Sequence, residues 1–149
     1  MNYSEHIPQN NTNKSEFSML LETGDFSLQT AENLTDQQIS IPTQITCNII
    51  HFYFCLEGSA VFSFGPHYSR QIERQHNYFF YNPQSDLPFT LLLEPRTRFV
   101  ALSITLESLH KYFSHDPLPF LHPENAKTKF YDEREIPSFL YVVLNEMFT

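Results

Sequence analysis

The residue whose type and position most clearly suit binding or acid–base chemistry is a histidine inside an apolar stretch. His51 precedes Tyr53 by two residues and Cys55 by four, so the three side chains share one face if this stretch is a β-strand. Such a histidine either hydrogen-bonds a small molecule inside a barrel or is a core or surface residue satisfied by the backbone. A His–Tyr acid–base pair needs a carboxylate that orients the imidazole, and no Asp occurs between Asp36 and Asp86. We therefore expect no catalytic residue and no enzyme activity.

The two cysteines are expected to be buried, unreactive thiols. Cys47 and Cys55 are predicted within one extended run, where their eight-residue separation spans roughly 26 Å, too far for a disulfide. This cysteine usage fits a reducing, cytoplasmic compartment. Residues 1–14 are polar and contain no apolar segment typical of a secretory signal.

A series of short strands must position these side chains. Runs of β-branched and aromatic residues alternate with turn residues such as Gly58, Gly65-Pro66 and Asn82-Pro83. The spacing indicates an antiparallel sandwich or barrel without βαβ units. The predicted strands cover residues 17–21, 26–28, 45–56, 59–64, 67–72, 78–81, 89–94 and 98–105.

The apolar period changes after Thr105. A short helix is predicted from Leu106, and a proline-rich loop at 116–123 precedes a second helix that starts near Pro137. The second helix is amphipathic, and we predict a dimer interface on its apolar face, formed by Leu140, Val143, Leu144 and Met147. Because the pattern runs without a stop signal to Thr149, the chain is expected to be a piece of a longer protein. The alternative is a small domain with a docked terminal helix.

Composition narrows the possible partners. The 149 residues carry a formal net charge of −8, which repels phosphate backbones, so we expect no direct nucleic-acid binding by this chain. No stretch approaches the roughly 20 apolar residues that cross a bilayer. The sequence predicts three parts: a flexible polar arm at 1–15, a β-barrel at 16–105 and a helical segment at 106–149.

Three motifs together resemble the sensor domain of AraC-type transcription regulators. Residues 51–58, HFYFCLEG, look like the family's strand that ends in a turn glycine, and residues 78–83, YFFYNP, resemble its apolar strand before a proline turn. Residues 99–104, FVALSI, followed by 106–109, LESL, are similar to the last barrel strand and the helix after it. The motifs fall within residues 49–113, about half of the chain.

The resemblance implies a cupin-like double-stranded β-helix barrel that is mainly antiparallel and is followed by C-terminal helices. It also implies an unknown small-molecule effector, a homodimer, and DNA binding only through a basic helix-turn-helix domain outside this chain. The alternative is a standalone small cupin protein that binds a small molecule or acts as an isomerase or oxygenase.

The metal site of enzymatic cupins is not expected in this chain. That site needs a His-x-His pair, a nearby Glu and a later His, whose imidazole and carboxylate groups converge on the metal. None of the seven histidines forms a His-x-His pair, and Leu87-Pro88 stands where a ligand His would be expected. We expect no metal and no other cofactor.

Ligand-binding residues are expected on alternate positions of the strands, facing the barrel interior. For each candidate the alternative is plain core packing, or a surface ion pair in the case of the arginine. Because residues 45–56 are apolar on both faces, the sequence leaves the inward phase open. The candidates are His51, Tyr53, Phe62, Phe64, Tyr78, Phe80 and Arg98.

Overall fold

The computed structural model describes residues 17–112 and 130–148 and contains ten strands and two helices. The predicted polar arm at 1–15 and the proline-rich loop at 116–123 lie outside these residues. The strands are β1 (Ser18–Glu22), β2 (Phe26–Asn33), β3 (Ile39–Ile45), β4 (Ile49–Glu57), β5 (Ser59–Gly65), β6 (Tyr68–Glu73), β7 (His76–Tyr81), β8 (Leu87–Leu93), β9 (Thr97–Thr105) and β10 (Phe130–Glu135). The helices are α1 (Leu106–Tyr112) and α2 (Ser138–Asn145), and a 3-10 turn (Glu146–Phe148) follows α2.

The strands form two antiparallel sheets that face each other. The larger sheet has the order β1-β2-β9-β4-β7-β10, and the smaller has the order β3-β8-β5-β6. Every strand pair is antiparallel, which confirms the predicted sheet type. The main core lies between the sheets and is dominated by aromatic rings, among them the fully buried Phe62 and Phe99.

The prediction of one strand over 45–56 was wrong at its start, because Ile45 is the last residue of β3, a strand that was not predicted, and β4 begins at Ile49. β3 ends at Ile45, and a turn through Cys47 and Asn48 leads into β4. Asn48 takes a left-handed conformation with φ 65°, which asparagine tolerates better than most residues. Cys47 is therefore a half-buried turn residue, whereas Cys55 is a buried strand residue as predicted; both are free thiols.

The turn glycine of the first motif has a steric role. Gly58 joins β4 to β5 with φ +78°, a conformation that side-chain-bearing residues rarely adopt. A Cβ at this position would overlap the Thr97 hydroxyl and lie 2.9 Å from the Arg96 carbonyl oxygen. The Thr97 hydroxyl also accepts a hydrogen bond from the Ser59 backbone N–H at 3.1 Å and donates to the Ser59 carbonyl at 3.0 Å. The tight turn thus connects the two sheets, since β4 belongs to the larger sheet and β5 to the smaller one.

Both helices cover the outer face of the larger sheet. Leu109 of α1 packs with Ile50, Tyr81 and Ile104, while α2 packs on a neighbouring cluster that includes Leu56 and Val100. Adjacent residues of β4 and β9 therefore pack on opposite sides of the sheet, one in the core between the sheets and the next in the clusters under the helices.

The predicted dimer face of α2 is used mainly within the chain. Leu140, Leu144 and Met147 pack on the outer face of the larger sheet, whereas Val143 is exposed. The apolar residues that α2 leaves exposed are Phe139, Val142 and Val143. Tyr141 adds a polar link, because its hydroxyl donates to Glu57 Oε2 at 2.7 Å.

Candidate ligand-binding site

A cavity opens between the two sheets at the end of the sandwich where β3 turns into β4. Its volume is about 310 Å³, near the lower limit of small-molecule sites. Five strands and their flanking residues contribute to its wall: Phe17, Met19, Glu22, Ser27, Gln29, Thr43, Gln44, Thr46, Ile49, His51, Tyr53, Ala101 and Ser103. A smaller hollow of about 160 Å³ shares Glu22, Ser27, Ile49 and Ser103 with this wall.

His51 is held in the wall by two hydrogen bonds with defined directions. The Thr46 backbone N–H donates to Nε2 at 2.9 Å, so this ring nitrogen is an acceptor and carries no proton. The proton of the neutral ring is therefore on Nδ1, which lies 3.2 Å from Ser103 Oγ and donates to it. Burial lowers the pKa of His51 to about 4, so the imidazole is neutral at pH 7.

Tyr53 forms the back of the cavity. Its ring stacks on the His51 ring with centroids 6.0 Å apart, and the residue is almost fully buried. Behind it lie Phe62, Phe89 and Phe99, whose ring centroids are 5.4, 5.9 and 6.0 Å from that of Tyr53. Burial raises the pKa of Tyr53, so its hydroxyl stays protonated and can donate a hydrogen bond.

The structure places the seven predicted binding residues in three locations. His51 and Tyr53 line the cavity. Phe62, Phe64, Tyr78 and Phe80 point into the same interior but belong to the aromatic core behind it.

Arg98 lies on the other side of the sheet. Its neighbours Thr97 and Phe99 are buried in the interior, while Arg98 pairs with Glu57 at 3.8 Å and lies over the Phe148 ring at 5.5 Å. This is the surface ion pair that the sequence left open as the alternative for Arg98.

The wall residue that sequence reasoning missed most clearly is Ser103. It faces inward because it follows Phe99 and Ala101 at two-residue intervals along β9 and so shares their face of the strand. The strand register places it opposite His51. A period-two count from Phe99 would have found the inward phase of Ser103. Its pairing with His51 depends on the register between β4 and β9, which the sequence does not encode locally.

Among residues 17–112 and 130–148, no group of three or more His, Cys, Asp or Glu side chains is placed to hold a metal ion. No helix in this described part of the chain is long and apolar enough to cross a membrane.

The sequence matches no protein-family model and no curated protein. Solved structures, by contrast, match it in fold. ToxT from Vibrio cholerae O395 superposes with a TM-score of 0.54 at 12% identity over 84% of this chain. The unsaturated-fatty-acid-bound ToxT from strain SCE256 gives a TM-score of 0.52 at 14% identity over 87% of this chain.

A third match is an uncharacterized conserved protein with a double-stranded β-helix domain from Klebsiella pneumoniae. It has a TM-score of 0.50 at 12% identity, covering 70% of this chain and 90% of that protein. By comparison, this chain spans only 45% and 47% of the two ToxT chains. The chain therefore has a cupin-like double-stranded β-helix fold, which it shares with part of the ToxT chain.

Proposed function

We propose that this chain is the effector-binding domain of an AraC-type transcription regulator and has no catalytic role. The observation that carries the proposal is the cavity at the open end of the sandwich, lined by His51, Tyr53 and Ser103. It occurs in a fold shared with ToxT, a protein that has been crystallised with an unsaturated fatty acid. The three motifs of the sequence that resemble AraC-type sensors add to this support.

The binding half of the proposal is tested by a thermal-shift screen of small molecules against the 149-residue chain. A ligand at a hundredfold excess over its Kd stabilises the folded state by about 2.7 kcal/mol, enough for a clear shift in Tm. Ser27→Leu fills the cavity mouth and is expected to abolish the shift. Ser40→Leu, on an exposed position of β3, is the matched control. A hit that survives Ser27→Leu unchanged binds elsewhere and contradicts the proposed site.

DNA recognition is proposed to belong to another domain of the same protein. The net charge of −8 disfavours binding of phosphate backbones by this chain, and ToxT is more than twice as long as the part matched here. A reading frame that continues past Thr149 into a basic helical segment supports this assignment, and a stop codon directly after Thr149 overturns it.

Self-association through α2 is the third part of the proposal. Since Leu140, Leu144 and Met147 cover the chain's own sheet, the surface left for a second copy is formed by Phe139, Val142 and Val143. Analytical ultracentrifugation should show a dimer that Val142→Glu converts to monomer. A wild-type chain that stays monomeric at high concentration contradicts the dimer and leaves the ligand proposal unaffected.

The second candidate is a standalone cupin, which the 90% coverage of the Klebsiella protein favours. The same reading frame discriminates the two, because a standalone protein needs no DNA-binding segment.

A further inference from the structure

Ser103 presents a hydrogen-bond donor to the cavity. Its Oγ accepts the Nδ1–H of His51, because Nε2 of that ring is already occupied by the Thr46 backbone N–H. The Ser103 hydroxyl hydrogen therefore points away from His51. In the described part of the chain, this hydroxyl donates no hydrogen bond to another side chain. Since Ser103 lines the cavity, this hydrogen is available to an acceptor atom of a bound molecule.

Tyr53 supplies a second donor to the same cavity. The residue is 2% exposed and lines the back of the cavity, yet its hydroxyl makes no hydrogen bond to the other residues of 17–112 or 130–148. This hydroxyl oxygen is not among the buried unpartnered polar atoms of the described residues, so it is open to the cavity and can donate to an acceptor atom of a bound molecule. Two neutral donors, the hydroxyls of Tyr53 and Ser103, thus belong to residues that line the same cavity.

The charge of the wall argues against a carboxylate as that acceptor. None of the wall residues within the described ranges is Lys or Arg, and the charged group at the rim is the carboxylate of Glu22. A second carboxylate would lose its hydration without gaining a cation, a cost of several kcal/mol. An uncharged carbonyl or hydroxyl oxygen meets the same two donors without that cost.

The depth of the cavity limits the size of the ligand. The aromatic rings behind Tyr53 fill the interior, and Phe62 and Phe99 are completely inaccessible to solvent. A long acyl chain could enter the sandwich only by displacing these rings from a packed core. The cavity of about 310 Å³ in front of these rings has room for a single ring or a short chain.

We propose that this cavity binds a small uncharged molecule that carries a carbonyl or hydroxyl oxygen on a ring or short chain, and that it discriminates against carboxylates and long acyl chains. The inference rests on the proposed effector-binding function and specifies its ligand class. It separates this chain from the fatty-acid-bound ToxT despite the common fold.

The test compares benzamide with benzoate, two probes of nearly equal size that differ in charge, by NMR titration of the 149-residue chain at pH 7. Chemical shifts of the Ile49 and Ala101 methyl groups report occupancy of the cavity. Benzamide should bind in about the millimolar range and at least tenfold more tightly than benzoate. Oleate, the long-chain arm, should leave both methyl signals in place.

Variants test the two donors separately. Tyr53→Phe and Ser103→Ala should each weaken benzamide binding by about two- to tenfold, the range for loss of one neutral hydrogen bond, and should leave benzoate unchanged. Tyr68→Phe and Ser69→Ala are the matched controls, since both residues are exposed on β6. Retained methyl spectra in the absence of probe show that the variants are folded.

Benzoate or oleate binding as tightly as benzamide overturns the inferred ligand class, as does the failure of benzamide to move either methyl signal. These outcomes leave the effector-binding function standing if another compound from the thermal-shift screen binds in a manner sensitive to Ser27→Leu. Absence of any such compound overturns the function itself.

Discussion

The hydrogen-bond directions around His51 are set by one backbone group. Because the Thr46 N–H can only donate, it fixes the tautomer of the imidazole and thereby the direction of the Ser103 hydroxyl. His51 is thus a positioning residue for the donor that faces the cavity, a role intermediate between the two that the sequence left open. The sequence revealed that His51 and Tyr53 share a face, and the structure adds what each of them contacts.

Gly58 gives the sharpest prediction at the residue scale. Gly58→Ala forces a Cβ into the Thr97 hydroxyl and places a side chain at φ +78°, so we expect a loss of about 2 kcal/mol or more in the free energy of unfolding. Gly24→Ala is the matched control, because a Cβ there meets no atom within 4 Å, and its effect should stay within about 0.5 kcal/mol. Urea denaturation of both variants measures the difference. Equal stability of the two would show that the β4–β5 turn relaxes freely.

At the scale of elements, α2 is held on the larger sheet by the apolar side chains of one helix face. Leu144 is 5% exposed against the sheet, whereas its neighbour Val143 is 53% exposed. Leu144→Ala should therefore cost about 2–4 kcal/mol of unfolding free energy, and Val143→Ala less than about 0.5 kcal/mol. Chemical denaturation at low protein concentration, where any dimer is dissociated, provides the measurement. A larger loss for Val143→Ala would mean that the helix presents its other face to the sheet.

The same elements show what sequence patterns could and could not predict. The strands from β5 to β9 follow their turn residues closely, because Gly58, Gly65 and Asn82-Pro83 mark the ends of apolar runs. The phase of β4 could not be predicted, since its outer residues Phe52, Phe54 and Leu56 are covered by helices and are as apolar as its inner ones.

β10 was missed for a different reason. Its sequence, FYDERE, is mostly charged and has no alternation that would predict a strand. The structure places it at the edge of the larger sheet beside β7, where charged side chains are favoured because they discourage pairing with another chain. The helical segment predicted at 106–149 thus also contains a strand.

The stability of the whole molecule should depend on pH through His51. In the unfolded chain this imidazole takes up a proton below about pH 6.5, whereas in the folded chain burial lowers its pKa to about 4. The folded state is therefore progressively destabilised as the pH falls from about 6.5 to 4, by about 2 kcal/mol between pH 7 and pH 5. The groups facing His51 are the Tyr53 ring, the Thr46 N–H and the Ser103 hydroxyl, with the Glu22 carboxylate on the same cavity wall.

Urea denaturation at the two pH values tests this dependence. His51→Gln retains an acceptor for the Thr46 N–H but cannot titrate, so this variant should lose about 2 kcal/mol of the pH difference even if it is less stable at pH 7. His67→Gln, at an exposed turn position, is the control. An unchanged pH difference in His51→Gln would assign the acid sensitivity to other groups.

The two faces of β4 and β9 give the fold a further property. On β4, Tyr53 borders the cavity while the adjacent Phe54 packs in the cluster that carries α2, and on β9 Ala101 and Leu102 are divided in the same way. The distance from a bound molecule to the helix is therefore the thickness of one sheet, with no loop or hinge between them. Any displacement of these strands at the cavity also moves residues of the cluster on which α2 packs, so we expect the Leu144 methyl signals to shift when the cavity is occupied.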